Sequence, residues 1–487
     1  KMLQIEDLRK VHNGYAEYLF RWDYYMRSYM GAEEYRDGAY LRKYIAEDQA
    51  PGNQYKQRLL DTALQNHVKQ TVDAYRSFIF RNEPTRSLGK LTDDPFVMEF
   101  KENADLDGTE LDHFMREVMD MVIIYGGSWV GVDRPSYQVD TLAQEIDMGI
   151  RAFTTLYNPT NVRNWRYERM INGKRKLTYI CVVDESYADY DVLRCWYPDR
   201  VEVYTVSKKD YASTSNGLTY GDTTANNDNI ISEYGEILNY EEFVNPLGWV
   251  PFIHVQSDKS FHKGIGTSPI GDVCDIQREI YNLTSELYQS IRLSSHPSIV
   301  AEPSTEVNGG AGAIITVTEN TNIQPYLLQP TGASVESILN AIQQKVDAIN
   351  EMTHLSAIKA VRNTPQSGVS LQVEREMLNA KLSDYSMMIE DAEKKIWKMF
   401  FAWQDIQPDD DFHVEYEDSF DLRDKHADLE LYKKALELVP HNSFQHYIHD
   451  EIARLLISEE EDLQPILDEI KEDHASMGVT VPGEGTV

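Results

Sequence analysis

The stretch GTSPIGDVCDIQREIYNLTSELYQSIRLSSHP, residues 266–297, decides the fold. Ser268 followed by Pro269 is a capping residue with proline at the first helical position. Ile270, Val273, Ile276, Ile280, Leu283, Leu287 and Ile291 then recur at helical period, predicting one striped helix over 268–293. Ser294-Ser295-His296-Pro297 stops it. A second helix is expected from Gly332-Ala333-Ser334 to about 352, striped by Val335, Ile338, Leu339, Ile342, Val346 and Ile349. A third starts near Gly368 and carries Leu371, Leu378, Leu382, Tyr385, Ile389, Ile396 and Phe400. Long single-striped helices with no catalytic motif on them point to a shaped, assembled object.

Between the first two helices, Ser298–Ala301, Ala313–Thr318 and Ile323–Leu328 read as short strands around Asn308-Gly309-Gly310-Ala311-Gly312. Working outward, residues 1–49 read as helical and Tyr-rich. Pro51-Gly52 breaks the chain, and one helix is expected from about Asn53 to Phe80. Another runs from about Thr109 to Tyr125 and stops at Gly126-Gly127, a C-terminal glycine signal. From Ser128 to Gln256 the period falls to two, with strands at 129–132, 177–183, 192–197, 201–206 and 252–255. Asn172-Gly173 between Arg-rich flanks reads as a hairpin turn. Ser207–Ser232 is expected to be an exposed loop. Beyond the third helix, 412–416 alternates as a strand, helices follow at about 424–439, 443–457 and 461–471, and Met477–Val487 is expected to be disordered.

The charge is strongly acidic, with 47 Lys and Arg against 80 Asp and Glu for a net −33. From Phe401 to Val487 there are 6 cations and 23 anions, so a net −17 falls in that segment. A free-standing nucleic-acid binder is expected to be basic, so tight DNA adhesion is not expected. No apolar run has the length of a membrane span, and the start carries no secretory signal pattern. Three cysteines, Cys181, Cys195 and Cys274, are odd in number and separated in sequence, which argues for a reducing compartment without a disulfide framework or a zinc site. Cys274 reads as a small buried apolar residue.

GxxxxGK[ST], HExxH, GxSxG and CxxC do not occur in the sequence. Asp409-Asp410-Asp411 with His413, and His446 with His449 and Asp450, have oxygen and nitrogen donors for a cation. They read better as a solvated turn and as surface histidines, so no metal or cofactor is expected.

The order and spacing of these elements resemble those of a tailed-bacteriophage portal protein. Gly248-Trp249-Val250-Pro251-Phe252-Ile253 resembles the family's G-x-[IV]-P-F strand before the stem. Gly126 to Pro135 and Tyr157 to Trp165 resemble wing phrases, and Phe420 to Asp428 resembles the lead-in to the crown. The resemblance covers roughly 50–460 and implies an α+β, mainly α, chain. Its parts would be a wing (1–263), stem helix 1 (264–293), a small β-containing clip (294–333), stem helix 2 (334–355), a tunnel loop (356–368), a long helix with a return strand (369–423), a helical crown (424–471) and a flexible tail (472–487).

By that resemblance the chain is a non-enzymatic subunit of a homo-oligomeric ring, twelvefold if the family rule holds. The ring lies at the portal vertex of a virion and is assembled in the host cytoplasm. Double-stranded DNA passes through it without sequence specificity during packaging and ejection. Lys359, Arg362, Asn363 and Gln366 would face that DNA. Glu302, Ser304, Thr305, Glu306 and Asn308 in the clip would dock the terminase large subunit and later a head–tail adaptor. The wing would meet the major capsid and scaffold proteins, and no membrane is involved. Two alternatives remain open: a glycoside hydrolase, since two carboxylates suffice for that chemistry, or another ring component of a head–tail connector.

Overall fold

The computed structural model describes residues 2–45, 47, 53–135, 141–208, 234–295, 298–300, 306–307, 315–316, 326–328, 332–356, 368–408, 411–418, 420, 425–438, 442–456 and 465–467. The fold mixes helix and sheet, 52% to 22%, so helix dominates. Two compact units are present: residues 1–363 with 380–418, and residues 364–379 with 419–487.

The first unit opens with α1 (Ile5–Arg9), α2 (Asn13–Met30) and α3 (Ala32–Tyr35). The helix expected over 53–80 is two helices, α4 (Gln54–Asp61) and α5 (His67–Ile79). Thr62 turns extended at ψ 117°, and the Asn66 side chain caps α5 by accepting from Lys69 N. Leu60 fits the apolar phase of a single helix but lies 68% exposed. Next come α6 (Pro95–Glu102), capped by Asp94, and α7 (Leu111–Tyr125). Met115, Val118, Met119 and Val122 of α7 are fully buried, forming the centre of this core.

Gly126 ends α7 in the left-handed region at φ 86°. A Cβ there would stand 2.5 Å from the backbone of Thr267 and Ser268, so only glycine lets the segment at 266–268 close over the helix end.

β2 (Gly127–Asp133) follows as the middle strand of an antiparallel sheet, between β3 (Phe153–Tyr157) and β9 (Phe252–Gln256); α8 (Leu142–Asp147) lies between β2 and β3 in sequence. A second sheet is an antiparallel meander of β4 (Val162–Arg169), β5 (Arg175–Ser186), β6 (Tyr190–Trp196), β7 (Arg200–Lys208) and β8 (Tyr234–Val244). The Asn172-Gly173 hairpin turn is present, with Gly173 at φ 79° and Lys174 N donating to Asn172 Oδ1 at 3.0 Å. Cys181 and Cys195 are separated in sequence but directly opposite on β5 and β6; both are buried and free. The loop expected over 207–232 lies, from 209 on, outside the described residues.

β10 (Asp258–Lys259) pairs with β11 (Gly266–Thr267), so the first long helix, α9 (Gly271–Ser295), begins three residues later than the capping pattern predicted. Ser268 still acts at that end: its Oγ accepts from Ile270 N at 3.3 Å and donates to the α7 carbonyls of Ile123 and Ile124. In the insert, β12 (Ser298–Val300) pairs with β15 (Tyr326–Leu328), and β13 (Glu306–Val307) with β14 (Ile315–Thr316). α10 (Gly332–Met352) and α11 (Gly368–Gln404) match the expected helices. β16 (His413–Glu415) pairs with β1 (Thr85–Ser87).

In the part of α11 that belongs to this unit, Glu393 is fully buried. Arg86 grips it through two bonds of 2.5 and 3.0 Å, and Trp397 Nε1 and Tyr416 Oη also donate to it. The second unit contains α12 (Lys425–Leu438), packed on α13 (Asn442–Leu456).

Candidate channel and docking segments

Helix α9 is anchored at its beginning. Ile270, Val273, Cys274, Ile280 and Tyr281 are each at most 1% exposed. Gln277 is fully buried: its carbonyl caps α5 by accepting from Val68 N at 2.9 Å, and its amide donates to Ser28 O at 3.0 Å. Tyr24 Oη donates to Cys274 O at 2.9 Å. Further along, Asn282 accepts from Arg42 N at 2.9 Å, and Arg58 reaches Ser285 Oγ at 3.0 Å while paired with Glu47 at 2.7 Å. After Leu287 this cover thins: Tyr288 is 39% and Ile291 44% exposed, and one ion pair, Arg292 with Asp61 at 3.6 Å, still reaches α4.

α10 lies beside α9, with Lys345 paired to Glu279. Along α10 the exposure falls toward its end, where Ile349, Thr353 and Leu355 are buried and Tyr75 Oη donates to Thr353 O at 2.7 Å. The helices therefore leave the body together as an antiparallel pair, rooted at 271–287 and 349–355 and bare beyond. At 1.5 Å per residue, the 25 residues of α9 span roughly 38 Å. Four acids and two bases lie on α9, and three acids and one base on α10, so the pair is net negative.

Lys359, Arg362, Asn363 and Gln366 lie outside the described residues, as do Glu302, Ser304, Thr305 and Asn308. Glu306 opens β13, opposite Thr316. The described strands of the insert pair within the chain, β12 with β15 and β13 with β14. Of the suggested cation ligands, Asp409 and Asp410 are outside the description; His413 sits in β16, with its ring 3.1 Å from the carbonyl of Asp411. His449 is exposed, and nothing is described of the His446 side chain. No group of three or more His, Cys, Asp or Glu able to hold a metal occurs among the described residues. Among those residues no helix is long and apolar enough to cross a membrane.

A feature that sequence reading missed is a cleft of about 600 Å³ between the two sheets and the loop before α7. Asp105, Asp107, Glu117, Asp133, Asp184 and Glu185 line it, against one cation, Arg194. Arg194 bonds both Asp133 and Asp184 at 2.8 Å, and Tyr157 Oη donates to Asp184 at 2.8 Å. Burial pushes the Asp133 carboxyl up to about 6, against the pull of Arg194. Burial also raises Glu117. These carboxylates come from separate segments, and no local motif marks them.

No protein-family model matches the chain, and no curated protein matches its sequence. Among solved structures it is similar to a chain in the neck of an empty gene transfer agent particle computed with C6 symmetry. There the TM-score is 0.38 at 8% identity, over 86% of this chain and 94% of that one. It is also similar to a chain of the virion of a native gene transfer agent particle, with TM-score 0.34 and 8% identity over 78% and 88% of the two chains. A third likeness is to a chain in the neck of the native particle computed with C12 symmetry, with TM-score 0.33 and 8% identity over 75% and 84%. At these scores the functional reading rests on the chain's own elements.

Proposed function

We propose that this chain is the subunit of a portal ring, the channel through which a tailed-phage-type capsid takes up and releases its DNA. The observation that carries the reading is the antiparallel pair α9–α10. It is rooted in the body at one end, bare at the other, and interrupted there by a small β-insert. A helix pair with half its length uncovered has no function inside a monomer. Repeated around an axis, it makes a tube wall, with each bare flank covered by the next copy. The net negative charge of the pair suits that wall, since an anionic surface repels the DNA polyanion and gives it no place to stick.

On this reading the chain is not an enzyme, and a separate terminase ATPase drives the DNA. The insert 294–333 docks terminase and later a head–tail adaptor, and the body meets the shell and scaffold. The ring stands in the virion.

Imaging the purified full chain in negative stain tests this. Rings with a central hole are expected. A chain that stays monomeric at every concentration sinks the proposal, and so does a ring whose insert can be deleted over 302–311 without loss of terminase or adaptor binding.

A further inference from the structure

The β4–β5 hairpin is the reverse of the rest of this acidic chain. Between 166 and 176 it carries Arg166, Arg169, Lys174, Arg175 and Lys176 against Glu168 alone. Arg169 and Arg175 stand directly opposite across the ladder, a like-charge pairing that works against the hairpin. Lys263 is close enough that burial and then the Arg175 guanidinium push its amine down. Among the described residues Arg169, Lys174, Arg175 and Lys176 make no ion pair. At the tip, Ile171 is as exposed as in an extended chain, with Met170 beside it at 44%. An apolar tip flanked by unpaired cations, kept at a cost to the fold, marks a contact surface.

The acidic cleft lies at the opposite end of the same sheet. Arg175 and Asp184 are nine residues apart on β5, or roughly 30 Å along the strand. The hairpin therefore cannot fold into its own cleft. The cleft has the complementary character, five carboxylates beyond what Arg194 neutralises, over Phe114, Phe252 and Trp196.

We infer that the basic hairpin tip of one copy docks in the acidic cleft of the next, with Ile171 toward the aromatic floor. This deepens the ring reading and rests on it. A basic end on one copy meeting an acidic end on its neighbour is a head-to-tail contact, the kind that closes into rings.

A charge swap on the full chain tests it, using Arg169→Glu with Arg175→Glu on the hairpin and Asp107→Lys with Glu185→Lys in the cleft. All four positions are exposed. Each double variant should melt like the wild type but associate at least about 100-fold more weakly, because like charges then face each other. Mixing the two should restore association, since the acidic hairpin fits the basic cleft and the untouched hairpin fits the untouched cleft. Variants that assemble normally overturn the inference, as does a mixture that fails to recover. It is also overturned if the hairpin variant assembles normally and instead loses affinity for a duplex DNA fragment, which would make the hairpin a nucleic-acid contact. A wild-type chain that never associates removes the ring reading itself. Wild-type rings indifferent to the swap remove only this contact.

Discussion

Along α9, the turns up to Leu287 and the turns after it differ in what covers them. The first part is walled by α2 and α5, with Gln277 and Tyr24 stitching backbone to backbone. The last part has α10 on one side, keeps one ion pair to the end of α4 through Arg292 and Asp61, and is otherwise largely exposed. Both halves carry the same periodic apolar stripe, Ile280 in one and Ile291 in the other. The stripe alone therefore does not say whether a residue is core or interface; the neighbouring elements do. An apolar residue in the root stabilises the subunit, and the same residue in the outer part is available to stabilise an assembly.

Substitution of one charge at the two places separates them most strongly. Ile280 is 1% exposed, so Ile280→Asp buries an unpaired carboxylate and is expected to cost more than about 4 kcal/mol. Ile291→Asp, at 44% exposure, should change the stability of the subunit by no more than about 0.5 kcal/mol while weakening assembly. Denaturant melts of both variants, with sedimentation of the second, give the comparison. If the two lose equal subunit stability, α9 has no bare half.

The polar stitching of the root is next in size. Gln277→Ala leaves Val68 N–H and Ser28 C=O buried without partners, at about 1–3 kcal/mol each. Gln277→Glu keeps the acceptor for Val68 but loses the donor to Ser28. Its carboxylate is also buried, so it should not rescue the melt. A Gln277→Ala protein as stable as the wild type would mean that water or a shifted helix replaces both bonds.

The body should also respond to acid where the bare pair does not. His254, tilted against Trp129 with ring centroids 4.8 Å apart, has its imidazole pushed down to about 4 by burial. The folded value is below the unfolded 6.5, so the unfolded chain binds the proton first. The stability that the neutral ring contributes is complete above about 6.5 and is lost as pH falls toward 4, to a limit of roughly 3 kcal/mol. Melts of wild type and His254→Gln between pH 7 and 4 read this out. The variant should show the shallower slope, and equal slopes would reject it.

The helices of the pair were legible because their stripes hold period over many turns and because Pro269 and the glycine at 332 mark their starts. The break inside 53–80 was not, since Leu60, Leu64 and Val68 continue one helical phase across it. β4 and β8 escaped because VRNWRYER and YGEILNYEEFV place polar residues on exposed positions of strands set by their neighbours. The pairing of Thr85 with Glu415 spans most of the chain and leaves no local trace. The cleft was invisible for the same reason, being assembled from the loop before α7, α7 itself and the strands β2, β3, β5, β6 and β9. The hairpin, a local feature, could be read directly from Asn172-Gly173.

The smallest effect is expected from the segment that joins the rooted end of α10 to α11. Its only Lys and Arg are Lys359 and Arg362. Exposed cations attract phosphates, but the attraction is screened within about 8 Å at physiological salt. Such contacts steer or retain DNA without reading bases. In the proposed ring, Lys359→Ala with Arg362→Ala should leave melting and ring formation unchanged. The change should appear in how much DNA is packaged or kept, and should grow as salt is lowered. Retention equal to the wild type at every salt concentration would make these two residues ordinary surface cations with no part in holding DNA.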